Sequence, residues 1–506
     1  MNYRMIFNTI GKVAIVLAIL LVIPAVLALC LGESSWWAIA ITVGISLVIG
    51  LVLWLCVKPK NKVIFSKEGL VIVSLAWIYV SAIGALPFVI SREIPSYIDA
   101  FFEMCSGFST TGATILTGDQ INAMYETSKG LLFWRSFTHW IGGMGVVVFL
   151  MAFETGSSDR GMHMLRAEMP GPIVDKIVPR ARNTAKILYL LYIGFTVAEI
   201  VALIIAGACS NMPIGENIFD SIVHSFGTAG TGGFGVRADS IAGYSAAHQW
   251  IISVFMILFG INFNLYYLIL LRKFRSAFGS RELWIFGGVI VVASTAVAIN
   301  LGLSNLPFTQ NAHDATRHAI FQVASFISTT GYSTIPSYSS INEFPLLSKG
   351  ILFLLMFIGG CAGSTGGGLK VSRVAILGCA VRRELRRVLH PRNANAVKFE
   401  GKNLTDETLH GVTSYFGLYM LIIAAVFVVL SFDKGSADFP LSVEANITAA
   451  VSCMNNIGPA YGAPASGYFM YNWASKLVMS FAMLIGRLEI YPILLTLSPT
   501  TWIKNR

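Results

Sequence analysis

Four times along this 506-residue chain an acidic residue opens a short, half-polar segment that ends in a glycine, each time between runs apolar enough for transmembrane helix. The segments are Asp99 to Gly112, Asp220 to Gly233, Asp314 to Gly331 and Glu444 to Gly458. Each is shorter than the ~20 apolar residues a helix needs to cross a bilayer. Each is also too rich in Ser, Thr, Asn and Gly to face lipid, so its backbone must line water or be buried in protein. The pattern predicts a pathway built from four re-entrant loops.

Composition forces the membrane setting. With 55% hydrophobic and 12% charged residues and a mean hydropathy of +0.69, too little polar surface remains to cover a soluble fold. The predicted class is an all-α integral membrane protein. Apolar runs at 12–31, 36–57, 69–91, 130–153, 185–208, 249–271, 283–303, 348–380, 409–431 and 473–497 read as ten crossings. The net charge of +10 then has a topological meaning, with no nucleic-acid partner implied. Arg4 and Lys12, Lys58 to Lys67, Arg160 to Lys186, Arg272 to Arg281, Arg382 to Lys402, and Lys504 and Arg506 all fall on one face, which the positive-inside rule makes cytoplasmic. Both termini share that face, and the glycine segments dip in from the other. The first helix reads as an uncleaved anchor, because Leu29 before Cys30 does not fit a lipoprotein box and a second span follows at once. The seven cysteines show no CxxC spacing and are expected as free thiols without a metal site.

Beyond residue 68 the order helix, glycine segment, helix recurs four times. The expected organisation is a two-helix N-terminal domain (1–68) followed by repeats at 69–183, 184–281, 282–402, with a broken second helix, and 403–506. Every repeat begins and ends on the same face, so the four are parallel and relate by a pseudo-fourfold axis along the membrane normal.

A re-entrant helix points its partially negative C-terminus at the membrane centre, which favours a cation. The acids Asp99, Asp220, Asp314 and Glu444 suit the positive helix starts, where capping accounts for them; direct ion contact is the alternative. Behind each helix the expected filter residues are Thr110, Thr111 and Gly112; Gly232 and Gly233; Thr330 and Gly331; and Asn456, Ile457 and Gly458. Glycine permits backbone shapes that aim successive carbonyls inward, and such rings replace the hydration shell of potassium. A single glycine in a membrane segment is more often a packing position, but four at equivalent places argue for a filter. In the second loop, spacing from the acid aligns Gly233 with Gly112 and Gly232 with Thr111.

A second glycine cluster, Gly359, Gly360, Gly363, Ser364, Thr365, Gly366, Gly367 and Gly368, interrupts the last helix of repeat three. Each glycine costs a helix about 1 kcal/mol relative to alanine, so the helix breaks there. Broken backbone at this depth lines a cavity, which suggests a gate; a close-packed glycine-rich helix is the alternative. Arg487 lies inside the last span, where an unpartnered charge costs several kcal/mol, and is a functional candidate on that ground. Lys370 and Arg373 read as interfacial snorkelling residues, with a role in gating as the alternative. Arg135 and His139 read as groups that bond carbonyls around the filter, and Asn262 and Asn264 as interhelical hydrogen-bonding groups.

These residues resemble the membrane subunits of the Trk/Ktr/HKT superfamily of potassium transporters, of the bacterial TrkH/TrkG type. The matching motifs are Phe108–Thr114 (FSTTGAT), Phe133–Gly145 (FWRSFTHWIGGMG), Glu168–Pro172 (EMPGP), Phe326–Thr334 (FISTTGYST), Gly359–Lys370 (GGCAGSTGGGLK) and Gly486–Pro492 (GRLEIYP). The resemblance implies potassium preference, since family members with serine in the first loop lean toward sodium and that position is Gly112 here. It implies a gate loop below the filter and an arginine, matching Arg487, that raises a barrier to cations. It further implies a homodimer in the bacterial cytoplasmic membrane, controlled by a cytosolic TrkA-like subunit that binds NAD and ATP. The resemblance implies potassium as the transported ion; the chain itself shows no nucleotide-binding motif and no convergent catalytic groups, so no organic cofactor and no enzymatic activity are expected. A less selective potassium/sodium conduit and a sodium- or proton-coupled symporter both accord with the same motifs. The basic run from Arg382 to Arg387 suits lipid headgroups or a regulatory partner.

Overall fold

The computed structural model describes residues 1–59, 65–145, 181–304, 306–335, 340–390 and 397–502. Outside the described residues lie the motif Glu168–Pro172, the end of the run 130–153, and Lys60, Lys62, Arg160, Arg166, Lys176, Arg180, Lys504 and Arg506.

The fold is all-α. Among the described residues the strands are two short ones, Lys398–Phe399 antiparallel to Lys402–Asn403. Among the described residues six helices are long and apolar enough to cross a membrane: Tyr3–Cys30, Trp36–Cys56, Ser66–Ile90, Lys186–Cys209, Arg281–Gly302 and Asp406–Leu430. Their outer faces carry apolar side chains such as Val48, Leu190, Val292 and Leu421, all more than 60% exposed, as lipid contact requires. The first two helices pack through small residues. A Cβ on Gly11 would stand 2.8 Å from Leu53 Cβ, and one on Gly50 2.8 Å from Ile15 Cγ1, so glycine lets the backbones approach.

The helices that follow the glycine segments differ from the continuous spans expected. The helices that follow the glycine segments are Lys129–Met144, Ala246–Phe259, Leu346–Ile358 and Trp473–Arg487, and each stops short. The sequence predicted only the third interruption. The run 249–271 is two helices, Ala246–Phe259 and Phe263–Leu270, bent by 88°. Gly260 caps the first, and Asn262 opens the second by accepting from Asn264 N at 2.9 Å. Asn262 is thus a local helix cap and not the interhelical group expected. In the run 473–497, Glu489 and Ile490 adopt φ of 59° and 68°, and helix resumes at Tyr491 with Pro492 in its first turn. The first of these helices ends at Gly145, φ 86°.

The four glycine segments form short buried helices: Tyr97–Phe108, Ile214–Gly230, Ala312–Ile327 and Val443–Asn455. Their N-termini are capped by hydroxyls where capping is seen. Ser96 accepts from Asp99 N at 3.4 Å and Ser442 from Ala445 N at 3.1 Å, while Asp99, Asp314 and Glu444 occupy first turns, where a negative charge suits the dipole. Asp220 departs from the expectation, because its helix begins earlier, behind Pro213. It sits mid-helix and accepts from the Tyr125 and Tyr244 hydroxyls at 3.0 and 2.7 Å. Asp99 pairs with Lys476 at 2.7 Å and Asp314 with Arg317 at 2.9 Å, so these acids are engaged away from the glycines.

Candidate functional site

Each short helix ends in the same backbone device. Thr110, Thr231, Thr329 and Asn456 take left-handed φ of 58°, 56°, 61° and 55°. The next N–H then reaches back five residues: Thr111 N to Ser106 O at 2.9 Å, Gly232 N to Gly227 O at 2.9 Å, Thr330 N to Ser325 O at 2.8 Å and Ile457 N to Ser452 O at 3.1 Å. This six-to-one closure is a Schellman turn, which usually takes glycine at the left-handed position. Threonine there is strained, by roughly 1–3 kcal/mol. The device aligns the loops: Gly112, Gly233, Gly331 and Gly458 follow at the same step, with φ of 80°, 72°, 85° and 102°. The second loop therefore has Gly232 at the place of Thr111. Thr231 and Thr329, which the sequence reading did not select, hold the same place as Thr110 and Asn456; comparing Thr329-Thr330-Gly331 with Thr110-Thr111-Gly112 was the available signal.

The four glycines close a ring. A Cβ on Gly112 would overlap the carbonyl oxygen of Gly232, one on Gly233 that of Thr330, and one on Gly331 that of Ile457. The circuit completes at Gly458, whose Cβ would lie 2.6 Å from Thr111 O. Each loop thus presses its glycine against the carbonyl preceding the next loop's glycine, in chain order around an axis. All four glycines line one cavity of about 140 Å³, on the side of the ring away from the helix ends.

Buried polar side chains hold this backbone from behind. Arg135 and Glu103, 1% and 0% exposed, pair at 2.6 Å. Glu103 also accepts from Ile115 N and Thr114 Oγ1 at 2.9 Å each, and Arg135 donates to Gly235 O at 3.0 Å while covering the Phe234 ring. One ion pair therefore fixes the first and second loops together. His139 Nδ1 lies 2.7 Å from Gly107 O, and Phe234 N donates to His139 Nε2 at 3.3 Å, an arrangement that requires the neutral Nδ1–H tautomer. Both residues bond loop backbone, as the sequence suggested. Tyr332 donates to His224 O and Phe234 O at 3.3 Å each. In the fourth loop, where proline follows the glycine, Tyr468 donates its hydroxyl to Gly458 O at 2.8 Å. Arg135→Met strands Glu103 as a lone buried carboxylate, and removing one partner of such a pair costs about 3–5 kcal/mol. Thermal unfolding of the detergent-solubilised protein is expected to show a lower midpoint for Arg135→Met than for the Glu103→Gln/Arg135→Met double variant.

On the other side of the ring, the broken helix lies directly under the helix ends. The break runs from Gly359, φ 74°, to Lys370, φ 71°, before helix resumes as Val371–Leu389. Gly367 N donates to Thr329 Oγ1 at 2.7 Å, and Cβ atoms on Gly366 and Gly367 would crowd Ser328 O and Asn455 O. Cys361 N donates to Gly260 O at 2.9 Å, and Thr365 Oγ1 to Phe259 O at 3.2 Å. Gly359, Gly360, Gly363 and Gly368 shape the turns, with Ser364 Oγ donating to Cys361 O at 2.7 Å. Arg487 completes the contact: it donates to Thr365 O at 2.7 Å and to Gly142 O and Gly143 O at 2.6 and 2.7 Å. The predicted gate residues thus come together beneath the ring, touching backbone from all four glycine-loop units.

Lys370 and Arg373 do not snorkel. They are 2% and 6% exposed; Lys370 Nζ donates to Gly366 O at 2.5 Å, and Arg373 pairs with Glu489 at 2.6 Å beside the Tyr415 ring. Only Leu488 separates Arg487 from Glu489 in the sequence, but the chain turns at Glu489, φ 59°, and Glu489 serves Arg373. The exposed residues Arg386 and Arg387 lie on the last turn of Val371–Leu389.

A helical membrane bundle whose four internal loops meet on one axis, with an interrupted helix across that axis, is the architecture of a membrane transport protein. The chain belongs to the TrkH family of cation transport proteins, whose family model matches residues 37–502. The Trk system potassium uptake protein TrkH of Salmonella typhimurium is 35% identical across 99% of this chain and 100% of its own length. TrkG of Escherichia coli, another Trk system potassium uptake protein, is 33% identical over 99% of each chain. The crystal structure of the potassium transporter TrkH from Vibrio parahaemolyticus superimposes with a TM-score of 0.85 at 30% identity, covering 99% of this chain and 100% of that one.

Proposed function

We propose that this chain carries potassium across the bacterial cytoplasmic membrane through the ring of Gly112, Gly233, Gly331 and Gly458, with the glycine-rich break as its gate. The closed circuit of glycine-to-carbonyl contacts is the observation that carries the reading. Such a ring offers a dehydrated cation backbone oxygens in place of water, and the four helix C-termini behind it add negative potential. The names of the relatives, potassium uptake proteins, support potassium as the ion. The clustering of basic loops supports cytoplasmic termini, entry from the glycine side and the five-part organisation 1–68, 69–183, 184–281, 282–402 and 403–506. Uptake then runs down the electrochemical gradient, since a potential supplies about 2.3 kcal/mol per charge per 100 mV. The gate sits where Arg487 adds a positive charge beneath the filter. A homodimer and a cytosolic NAD- and ATP-binding regulatory subunit complete this reading.

A less selective conduit is favoured by one feature: Phe234 and Tyr332 back their glycines, whereas Ala113 and Pro459 follow the other two. Flux of potassium, rubidium, sodium and lithium into liposomes holding the purified protein separates the readings. Potassium and rubidium are expected to exceed sodium and lithium at least about tenfold, about 1.4 kcal/mol of discrimination. Equal sodium and potassium flux would overturn selective uptake.

A further inference from the structure

Glu282 stands apart from the filter and from the arginines, yet it is 6% exposed and reaches the break from a different helix. It lies in the first turn of Arg281–Gly302. Its Oε1 accepts from Ala362 N at 2.7 Å and from Ser372 N at 3.1 Å. Those two donors flank the break: one near its start, the other just after helix resumes. A single carboxylate oxygen therefore ties the two ends of the loop together. The clasp is itself held from below. Glu400 Oε1 accepts from Glu282 N at 2.9 Å and from Ser280 Oγ at 3.0 Å. Glu400 is in the turn of the Lys398–Phe399/Lys402–Asn403 hairpin, at φ 48°, and the hairpin residues Val397 and Phe399 share a buried apolar cluster with Ile376 of the helix that follows the break. A continuous bonded path thus runs from a hairpin on the face opposite the cavity, through Glu282, to both ends of the loop.

We propose that Glu282 is the positioning residue that keeps the glycine-rich loop seated beneath the filter, and that Glu400 sets Glu282. The chemistry explains why a carboxylate is used: its oxygen takes two N–H donors at once, and hydrogen bonds to an ionised acceptor are about twice as strong as neutral ones. Loss of the side chain leaves two backbone donors unpaired and frees both loop ends together. Movement of the hairpin has the same effect at one remove, because Glu400 holds the backbone from which Glu282 projects.

Cys361, fully buried and beside Ala362, reports the loop's position directly. The full chain, with Cys30, Cys56, Cys105, Cys209, Cys379 and Cys453 replaced by alanine, is placed in liposomes and the alkylation rate of Cys361 by N-ethylmaleimide is measured alongside rubidium flux. Glu282→Ala is expected to raise the alkylation rate about tenfold or more, as loss of charged hydrogen bonds raises local opening. Glu282→Gln, whose amide oxygen accepts the same two bonds, is expected to return the rate toward the unaltered value. An unchanged rate in Glu282→Ala overturns the clasp. Glu400→Ala is expected to give an increase of about threefold, smaller because it acts through Glu282; no increase overturns the link to the hairpin. Should Glu282→Ala not reach the membrane, the Glu400→Ala result decides. The proposal rests on the gate reading, and flux tells the two apart: faster alkylation with unchanged flux keeps the clasp and removes the loop as gate.

Discussion

Gly112→Ser is expected to cut rubidium flux at least about tenfold and to raise sodium flux relative to it. Two costs fall on one residue. The φ of 80° is a conformation that a side-chain-bearing residue adopts only at roughly 1–3 kcal/mol. The new Cβ also overlaps Gly232 O, so the first and second loops have to separate, and overpacking of this kind costs about another 1–3 kcal/mol. The separation moves one carbonyl of the ring outward, which weakens the contact with a dehydrated potassium ion more than that with an ion keeping part of its water. The geometry ranks the ring as well. Gly458→Ser is expected to be the mildest of the four, because its Cβ would come to 2.6 Å from Thr111 O, against 1.9, 2.0 and 2.1 Å at Gly112, Gly233 and Gly331. Isotope uptake of rubidium-86 and sodium-22 by matched liposomes checks both statements. An unaltered sodium-to-rubidium ratio in Gly112→Ser would show that this glycine is no part of the filter.

Arg487→Ala is expected to increase flux by about tenfold in liposomes lacking any partner. The side chain makes three hydrogen bonds of 2.6–2.7 Å to carbonyls, one on the loop and two on Gly142 and Gly143. Bonds from a charged donor contribute about 1.5–3 kcal/mol each. Their loss releases the loop and removes a positive charge from the ion's route. Arg487→Lys separates the two effects, since an ammonium keeps the charge but lacks the planar fork that spans both sets of carbonyls. An intermediate flux is expected for lysine. Identical flux for all three proteins would end the barrier role.

The glycine segments were legible because glycine and hydroxyl residues interrupt apolar sequence in a way that lipid does not tolerate. The break at Gly359 was legible for the same reason, through its density of glycines. The bend at Gly260 was not: one glycine between Phe259 and Ile261 reads as ordinary packing, and what stabilises the bend is Asn262, whose capping role depends on the turn it creates. Lys370 and Arg373 were misplaced because the groups that make their burial tolerable, Gly366 O and Glu489, are gathered by the fold. Asp220 reads as a helix start by its spacing from Gly233, which matches that of Asp99 from Gly112, whereas the helix begins at Ile214 with its own first-turn acid, Glu216. Glu282 gave no signal at all, since an acid in the first turn of a helix is commonplace.

The ring's unevenness has a consequence for how such a protein can change. Its four quarters are encoded separately, so a mutation alters one contact and leaves three as they were. A pore assembled from identical subunits takes every substitution four times over, and small adjustments are denied to it. Here the joint between the last loop and the first is the least tight: the glycine contact is longest, and the Asn456 amide bonds Thr111 Oγ1 at 2.9 Å across the join. If the ring is the filter proposed above, ion preference in this chain is open to adjustment one quarter at a time, and that joint is where a substitution costs least.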